Sequence, residues 1–291
     1  CALTINTGVT ATVPSGVTLT ITNAVTTNGQ LIFENNASLV QTTNAINIGA
    51  IEYRRISSPM KNFDYTYWSS PVTGQNIVTL SPNTLADKYF RFSGSANDWV
   101  LYNNPTTSTM IPGVGYIIRV PKPGSPAPDN WSGSTYSQPV AFKGVPNNGD
   151  YSFSAGAGEF NLIGNPYPSA IDADKFIDVN KNIINGALYF WTHNTAITNN
   201  EYTADDYASY TLTGGTGTGV GVGNFVDANN NGIMDPGEEV ASNKPLGKIA
   251  AGQSFFVENA AAGDYLFTNA MRVPGNNSQF FKQANTKKTA T

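Results

Sequence analysis

The sequence predicts an all-β protein: a short threonine-rich β-solenoid or sheet, then an internally duplicated, jelly-roll-like β-sandwich. Three observations carry this expectation. The 291 residues include 28 Gly, 17 Pro, 14 Tyr and 15 Phe against only 4 Met, a balance that favours pleated strands and tight turns over helices. The first forty residues alternate apolar with polar side chains, the period of a half-buried strand. Beyond Ile51, four sequence blocks recur in the same order in two stretches of the chain.

Residues 1–50 contain Leu3-Thr4-Ile5, Val17-Thr18-Leu19-Thr20-Ile21 and Gln30-Leu31-Ile32-Phe33, separated by Gly8, Pro14-Ser15-Gly16 and Asn28-Gly29. Short strands with small turn residues between them suit stacked solenoid rungs or the edge of a sandwich, and the solenoid is preferred. Threonine ladders also occur on ice-binding faces, but rungs this short and irregularly spaced read as ordinary strands.

The duplication places the first β-sandwich repeat at 51–155, the second at 156–275 and a polar linker at 276–291. Tyr67-Trp68-Ser69-Ser70-Pro71 is echoed by Leu162-Ile163-Gly164-Asn165-Pro166, and Asp87-Lys88-Tyr89-Phe90 by Ala187-Leu188-Tyr189-Phe190. Ile111 to Ile118 matches Ile249 to Val257. Val140-Ala141-Phe142 with Val145-Pro146-Asn147-Asn148 matches Tyr265-Leu266-Phe267 with Val273-Pro274-Gly275-Asn276-Asn277. The second repeat carries a long insertion between Trp191 and Ile249, where function tends to sit on a fixed scaffold. Helix is expected only around Asp172 to Ile177, after the Asn165-Pro166-Tyr167-Pro168 corner.

Composition excludes several function classes. Sixteen Lys and Arg against twenty Asp and Glu leave a net charge of -4, unsuited to a phosphate backbone, so no nucleic-acid partner is expected. No apolar run approaches the roughly 20 residues that span a bilayer, so no membrane insertion is expected. One Cys and one His make neither an internal disulfide nor a multi-histidine metal site. His193 lies where a turn begins and reads as a turn hydrogen-bonder, with no nucleophile motif near it. Paired carboxylates of the glycosidase kind would have to come from Asp172, Asp174, Asp205 and Asp206; the expectation is that the chain is not an enzyme.

The sharpest local motif lies in the insertion. Asp227-Ala228-Asn229-Asn230-Asn231-Gly232-Ile233-Met234-Asp235-Pro236-Gly237-Glu238 matches a twelve-residue calcium loop. Asp227, Asn229, Asn231 and Asp235 supply side-chain oxygens, Ile233 a carbonyl and Glu238 a bidentate carboxylate, with Gly232 at the sharp turn. The two asparagines lower the site's charge, which points to weak, extracellular-type binding with a Kd of roughly 10⁻⁴ to 10⁻³ M. The flanks lack helical period, so a structural calcium clip is expected rather than a regulatory EF-hand. Trp68, Trp99, Trp131 and Trp191, with tyrosines beside them, read first as core; Trp131, in the Pro/Ser/Gly-rich segment 121–137, is the candidate glycan-binding residue. Cys1 reads as a fragment boundary in preference to a lipidated terminus.

Several stretches carry a family resemblance. They are Tyr53-Arg54-Arg55 through Pro71-Val72, Asn161 through Ile171, Leu188 through Asn194, Asp206-Tyr207-Ala208-Ser209-Tyr210 and Gly252 through Val257. They resemble the β-rich module of large secreted surface proteins of Flavobacterium-like Bacteroidetes, just upstream of a type IX secretion sorting domain. The resemblance implies an extracellular place on the bacterial cell surface in an adhesin or gliding-motility filament. It also implies neighbouring domains of the same polypeptide, the secretion machinery and surface glycans as partners. A carbohydrate-binding module of a secreted polysaccharide-degrading enzyme is the alternative.

Overall fold

A computed structural model describes residues 1–123, 135–192, 197–198, 201–202, 207–217 and 245–278. Strands dominate among them, and helix is confined to two short segments and one 3₁₀ turn. The all-β expectation is borne out.

The first rung consists of β1 (Leu3–Ile5), β2 (Thr10–Val13) and β3 (Thr18–Ile21), and the second of β4 (Val25–Thr27), β5 (Gln30–Phe33) and β6 (Ser38–Gln41). Each strand pairs in parallel with its counterpart one rung on: Leu3 opposite Val25, Thr10 opposite Gln30, Thr18 opposite Ser38. Parallel neighbours cannot be joined by a hairpin, so the chain circles through two other strands before returning, a coil of about 20 residues per turn. Alternation sorts the side chains: Ile5, Val13, Ile21, Leu31 and Phe33 turn inward, while Thr4, Thr12 and Thr20 face out. Inside the second rung Gln41 and Asn47 exchange two amide hydrogen bonds of 2.8 Å, and Asn47 also accepts from Val25 N–H. These bonds satisfy polar groups that burial would otherwise penalise.

Seven strands and a helical turn follow: β7 (Ile51–Ile56), β8 (Tyr65–Trp68), β9 (Val72–Thr73), α1 (Ile77–Leu80), β10 (Tyr89–Ser93), β11 (Asp98–Leu101), β12 (Tyr116–Arg119) and β13 (Pro139–Pro146). Strand β7 pairs in parallel with β5 and antiparallel with β13, so one sheet, β2-β5-β7-β13-β9, runs from coil into sandwich across residue 50. The two share one core, from Ile5 and Phe33 to Trp68, Tyr116 and Phe142.

The remaining elements are β14 (Tyr151–Ala155), β15 (Phe160–Gly164), β16 (Ala170–Asp172), α2 (Ala173–Asn180), β17 (Ile184–Trp191), β18 (Ile197–Thr198), β19 (Glu201–Tyr202), β20 (Tyr207–Thr211), β21 (Gly214–Thr216), β22 (Lys248–Ile249), β23 (Ser254–Asn259), β24 (Gly263–Phe267) and β25 (Arg272–Val273). The order β11-β10-β12-β8 in one half reappears as β20-β17-β23-β15 in the other, where β21 adds an edge. The β7–β13 pair has its counterpart in β14–β24. Register agrees as well: Trp68 lies opposite Tyr116 and Ile163 opposite Phe255. Each half places a side-chain-capped helical segment after its corner, α1 under Asn76 and α2 under Asp172.

Three details differ from the sequence expectation. Tyr89 lies opposite Ile118 and Leu188 opposite Val257, so Tyr89 corresponds to Leu188 and not to Tyr189. A one-residue slip would turn the strand inside out, and both Tyr89 and Leu188 are buried. The second half opens with β14, so the halves divide before Tyr151 rather than after residue 155. Nor is the start of the polar tail a linker: Asn277 is buried, and its side-chain amide donates to the Ala37 carbonyl, Ser38 Oγ and Tyr53 Oη at 2.7 to 2.9 Å.

Candidate functional site

The four-stranded sheet β11-β10-β12-β8 and the five-stranded sheet β15-β23-β17-β20-β21 meet through a third apolar cluster. Tyr67, Ile117, Leu162 and Phe256 are buried at its centre, and Tyr65, Phe90, Phe92, Trp99, Tyr189, Trp191 and Tyr207 pack half-buried around them. Register pairs these across the duplication: Tyr67 with Leu162, Ile117 with Phe256, Phe90 with Tyr189, Phe92 with Trp191 and Trp99 with Tyr207. Tyr67 of one half stacks on Trp191 of the other, with centroids 5.7 Å apart and planes 6° from parallel, and its hydroxyl lies 2.8 Å from that of Tyr207. Phe92 meets Phe256 edge-on at 5.0 Å. These offset and edge-to-face contacts suit the ring quadrupoles. The arrangement cements the two halves and leaves Trp99, Trp191, Tyr189 and Tyr207 partly exposed at its margin.

Backbone contacts between the halves are reciprocal. Gly115 N–H donates to Leu162 O and Gly164 N–H to Gly113 O at one edge, and at the other Ser69 N–H donates to Gly252 O and Trp68 pairs with Gln253. Gly113 and Gly252 both adopt positive φ, +83° and +79°, and each faces an aromatic ring of the opposite half, Phe153 and Phe142. Asn147 closes the junction by donating to Ser70 O and Pro166 O and accepting from Thr73 Oγ1. The recurring Val-Pro blocks with their asparagines were the sequence signal for Asn147 and Asn277.

A second polar centre joins the far half to the coil. Arg272 is buried, and its guanidinium donates to Leu39 O at 2.6 Å, Asn148 Oδ1 at 2.9 Å, Asn269 Oδ1 at 3.0 Å and Ser169 Oγ at 3.3 Å. It lies 4.9 Å above the Tyr167 ring. Burial pushes its pKa down to about 10, so it stays charged at neutral pH. No motif singled it out.

Two of the four candidate carboxylates serve the scaffold. Asp172 caps α2 through the N–H groups of Asp174 and Lys175 and pairs with Lys248 at 2.7 Å. Burial raises its pKa, but Lys248 and the two N–H donors outweigh this and hold the carboxyl below its ordinary range. Asp174 accepts from the Tyr210 hydroxyl at 2.7 Å; burial first, and that carboxylate second, push Tyr210 up to about 12. Of the four tryptophans, Trp68 is fully buried and Trp99 and Trp191 belong to the aromatic cluster. Trp131, His193, Asp205, Asp206 and the calcium-loop residues Asp227, Asn229, Asn231, Ile233, Asp235 and Glu238 lie outside the described residues.

Among the described residues no group of three His, Cys, Asp or Glu side chains is placed to hold a metal, and no helix is long and apolar enough to cross a membrane. A family model described as "Domain of unknown function (DUF8693)" matches residues 1–291. The chain belongs to that family. The family's span takes in the coil and both halves together. No curated protein and no solved structure matches the chain.

Proposed function

We propose that this chain is a non-catalytic extracellular module of a bacterial cell-surface adhesin or gliding-filament protein exported by type IX secretion. Its work is mechanical, and the loop at Asp227 adds a calcium clip. The observation that carries this reading is the continuity of the body. Hydrogen bonds run from the coil through β7 into the first half, and Arg272 and Asn277 tie the second half back to the second rung. Pulled along its length, such a body loads many bonds together. In optical tweezers the chain should open in one cooperative step releasing up to about 100 nm, near 3.5 Å per residue. A coil that peels away first at low force would overturn the mechanical reading. Antibody to the chain should label intact cells of the organism that makes it; labelling only after lysis would overturn the surface location.

The half-exposed rings of Trp99, Trp191, Tyr189 and Tyr207 favour a second reading, a carbohydrate-binding module, because sugar rings stack on such faces. Glycan-array binding that is lost in Trp131→Ala or Trp191→Ala would select it over the first.

A further inference from the structure

Duplication sets one half against the other strand by strand. Because Val140-Ala141-Phe142 matches Tyr265-Leu266-Phe267, the registers of β7–β13 and β14–β24 make Tyr151 the counterpart of Tyr53, Ser152 of Arg54 and Phe153 of Arg55. In the first half β7 has a neighbour on each side, β13 antiparallel and β5 of the coil parallel. Among the described residues β14 pairs with β24 alone, and no loop bonds to the backbone of Tyr151–Ala155. The place that the coil fills beside β7 is therefore open beside β14 among these residues.

Burial follows the same difference. Tyr53 and Arg55 are at most 1% exposed, and Phe33 of β5 packs with its ring centroid 5.8 Å from that of Tyr53. Their counterparts Tyr151 and Phe153, with Ala155 beyond them, line the second core yet stay half-buried. A strand beside them would take more apolar area out of water. Edge strands are ordinarily blunted by charge, proline or a bulge. Tyr151-Ser152-Phe153-Ser154-Ala155 has no charge and no proline, and its ladder with β24 runs in unbroken register. The outward side chains differ from those of β7. There Arg54 crosses to Glu34 of the coil at 2.8 Å; here exposed Ser152 takes its place, followed by Ser154, whose hydroxyl donates to Asp264. A strand seated on β14 thus needs no acid, and hydroxyl side chains suit it because Ser and Thr pair across strands.

We infer that the free edge of β14 is a docking site for one extended strand of another polypeptide, parallel to β14 and alternating apolar with hydroxyl side chains, as the strands of a threonine-rich coil do. Main-chain hydrogen bonds supply its affinity and the inward apolar side chains its specificity. The contact reproduces on the second half the β5–β7 interface that the first half already makes. The inference is independent of the adhesin reading.

The probe is a synthetic peptide with the sequence of Val17–Asn23, Val-Thr-Leu-Thr-Ile-Thr-Asn. It is added to the 291-residue chain at up to about 1 mM, the weak end of the affinity scale. Before addition, alternate amides of β14 should exchange with solvent at least tenfold faster than those of β7. With peptide, the amide resonances of Tyr151–Ala155 should shift saturably. A spin label on the peptide's N-terminus should broaden Tyr151, and one on its C-terminus Ala155. Methylating the peptide's amide nitrogens at alternate residues blocks one of its edges at a time, so one methylated form should bind at least tenfold more weakly and the other nearly as well as the parent. Slow exchange along all of β14 in the chain alone would mean that the edge is already covered, and overturns the inference. Shifts that grow with protein concentration alone overturn it by making the occupant a second copy. A reversed spin-label pattern, two methylated forms that bind equally, or no shift at the highest peptide concentration overturns it as well.

Discussion

Removing the Arg272 guanidinium should be the most damaging single change away from the hydrophobic cores. In Arg272→Ala the Leu39 carbonyl and Asn148 Oδ1 lose their donor, Asn269 Oδ1 is left with the Gly149 N–H alone, and Tyr167 loses the cation above its ring. A buried acceptor left without a partner costs about 1–3 kcal/mol, and a desolvated cation–π contact adds about 2 kcal/mol. Relief of the charge's own desolvation offsets part of this. The net loss is about 3–5 kcal/mol, the stranded acceptors and the ring contact less that relief. At about 2–4 °C per kcal/mol for a body of this size, the melting temperature should fall by roughly 6–20 °C. Arg272→Lys keeps the charge but not the planar fork that reaches several acceptors at once, so it should recover less than half. Urea unfolding gives the magnitude. Hydrogen exchange gives the location, because the Leu39 and Val40 amides should lose protection before those of β12 or β23. A loss under about 1 kcal/mol, or protection lost uniformly, would refute the reasoning.

The other predictions are smaller. Asp172→Ala should cost about 1–2 kcal/mol, from a lost helix cap and a partly buried ion pair; urea melts above pH 5 measure it. Because the folded pKa of Asp172 lies below its unfolded value, that contribution is complete above about pH 4 and lost as pH falls through the folded value, so parent and variant should converge in acid. Burial pushes the Tyr53 and Tyr89 hydroxyls up to about 12 from about 10 in the unfolded chain. Their contribution is complete below pH 10 and lost between 10 and 12; Tyr210, raised likewise, adds to that loss, and Arg272, whose pKa burial lowers, opposes it. Circular dichroism melts across that range should show stability falling, and a flat profile would count against the burial of these rings. Chelator should lower the melting temperature of the parent chain and leave Asp227→Ala unmoved; equal curves with and without chelator would sink the calcium clip.

Much of the fold was legible because the signals are local. Thr-x-Thr alternation marks a strand wherever it occurs, and Asn28-Gly29 or Pro14-Ser15-Gly16 marks a turn. The duplication was legible because each half repeats the same strand beside the same corner. The helical turn at Ile77–Leu80 escaped notice, since four residues show no period; its cap, Asn76, was the available cue. The aromatic cluster was half legible: the rings were evident, but which rings face each other depends on strand register, and the Tyr89 offset shows how one residue changes that answer.

By itself, then, the sequence determined the strand content, the coil at the start, the repeated plan of the remainder and the calcium-loop motif, because each is written in neighbouring residues. The tertiary structure decided what joins them. Arg272 meets Leu39 across 233 positions and Asn277 meets Ala37 across 240, and no spacing rule links residues so far apart. Only burial selects those partners: once the second half lies against the coil, the open carbonyls of the second rung need donors, and Arg272 and Asn277 are the side chains that the chain path delivers there.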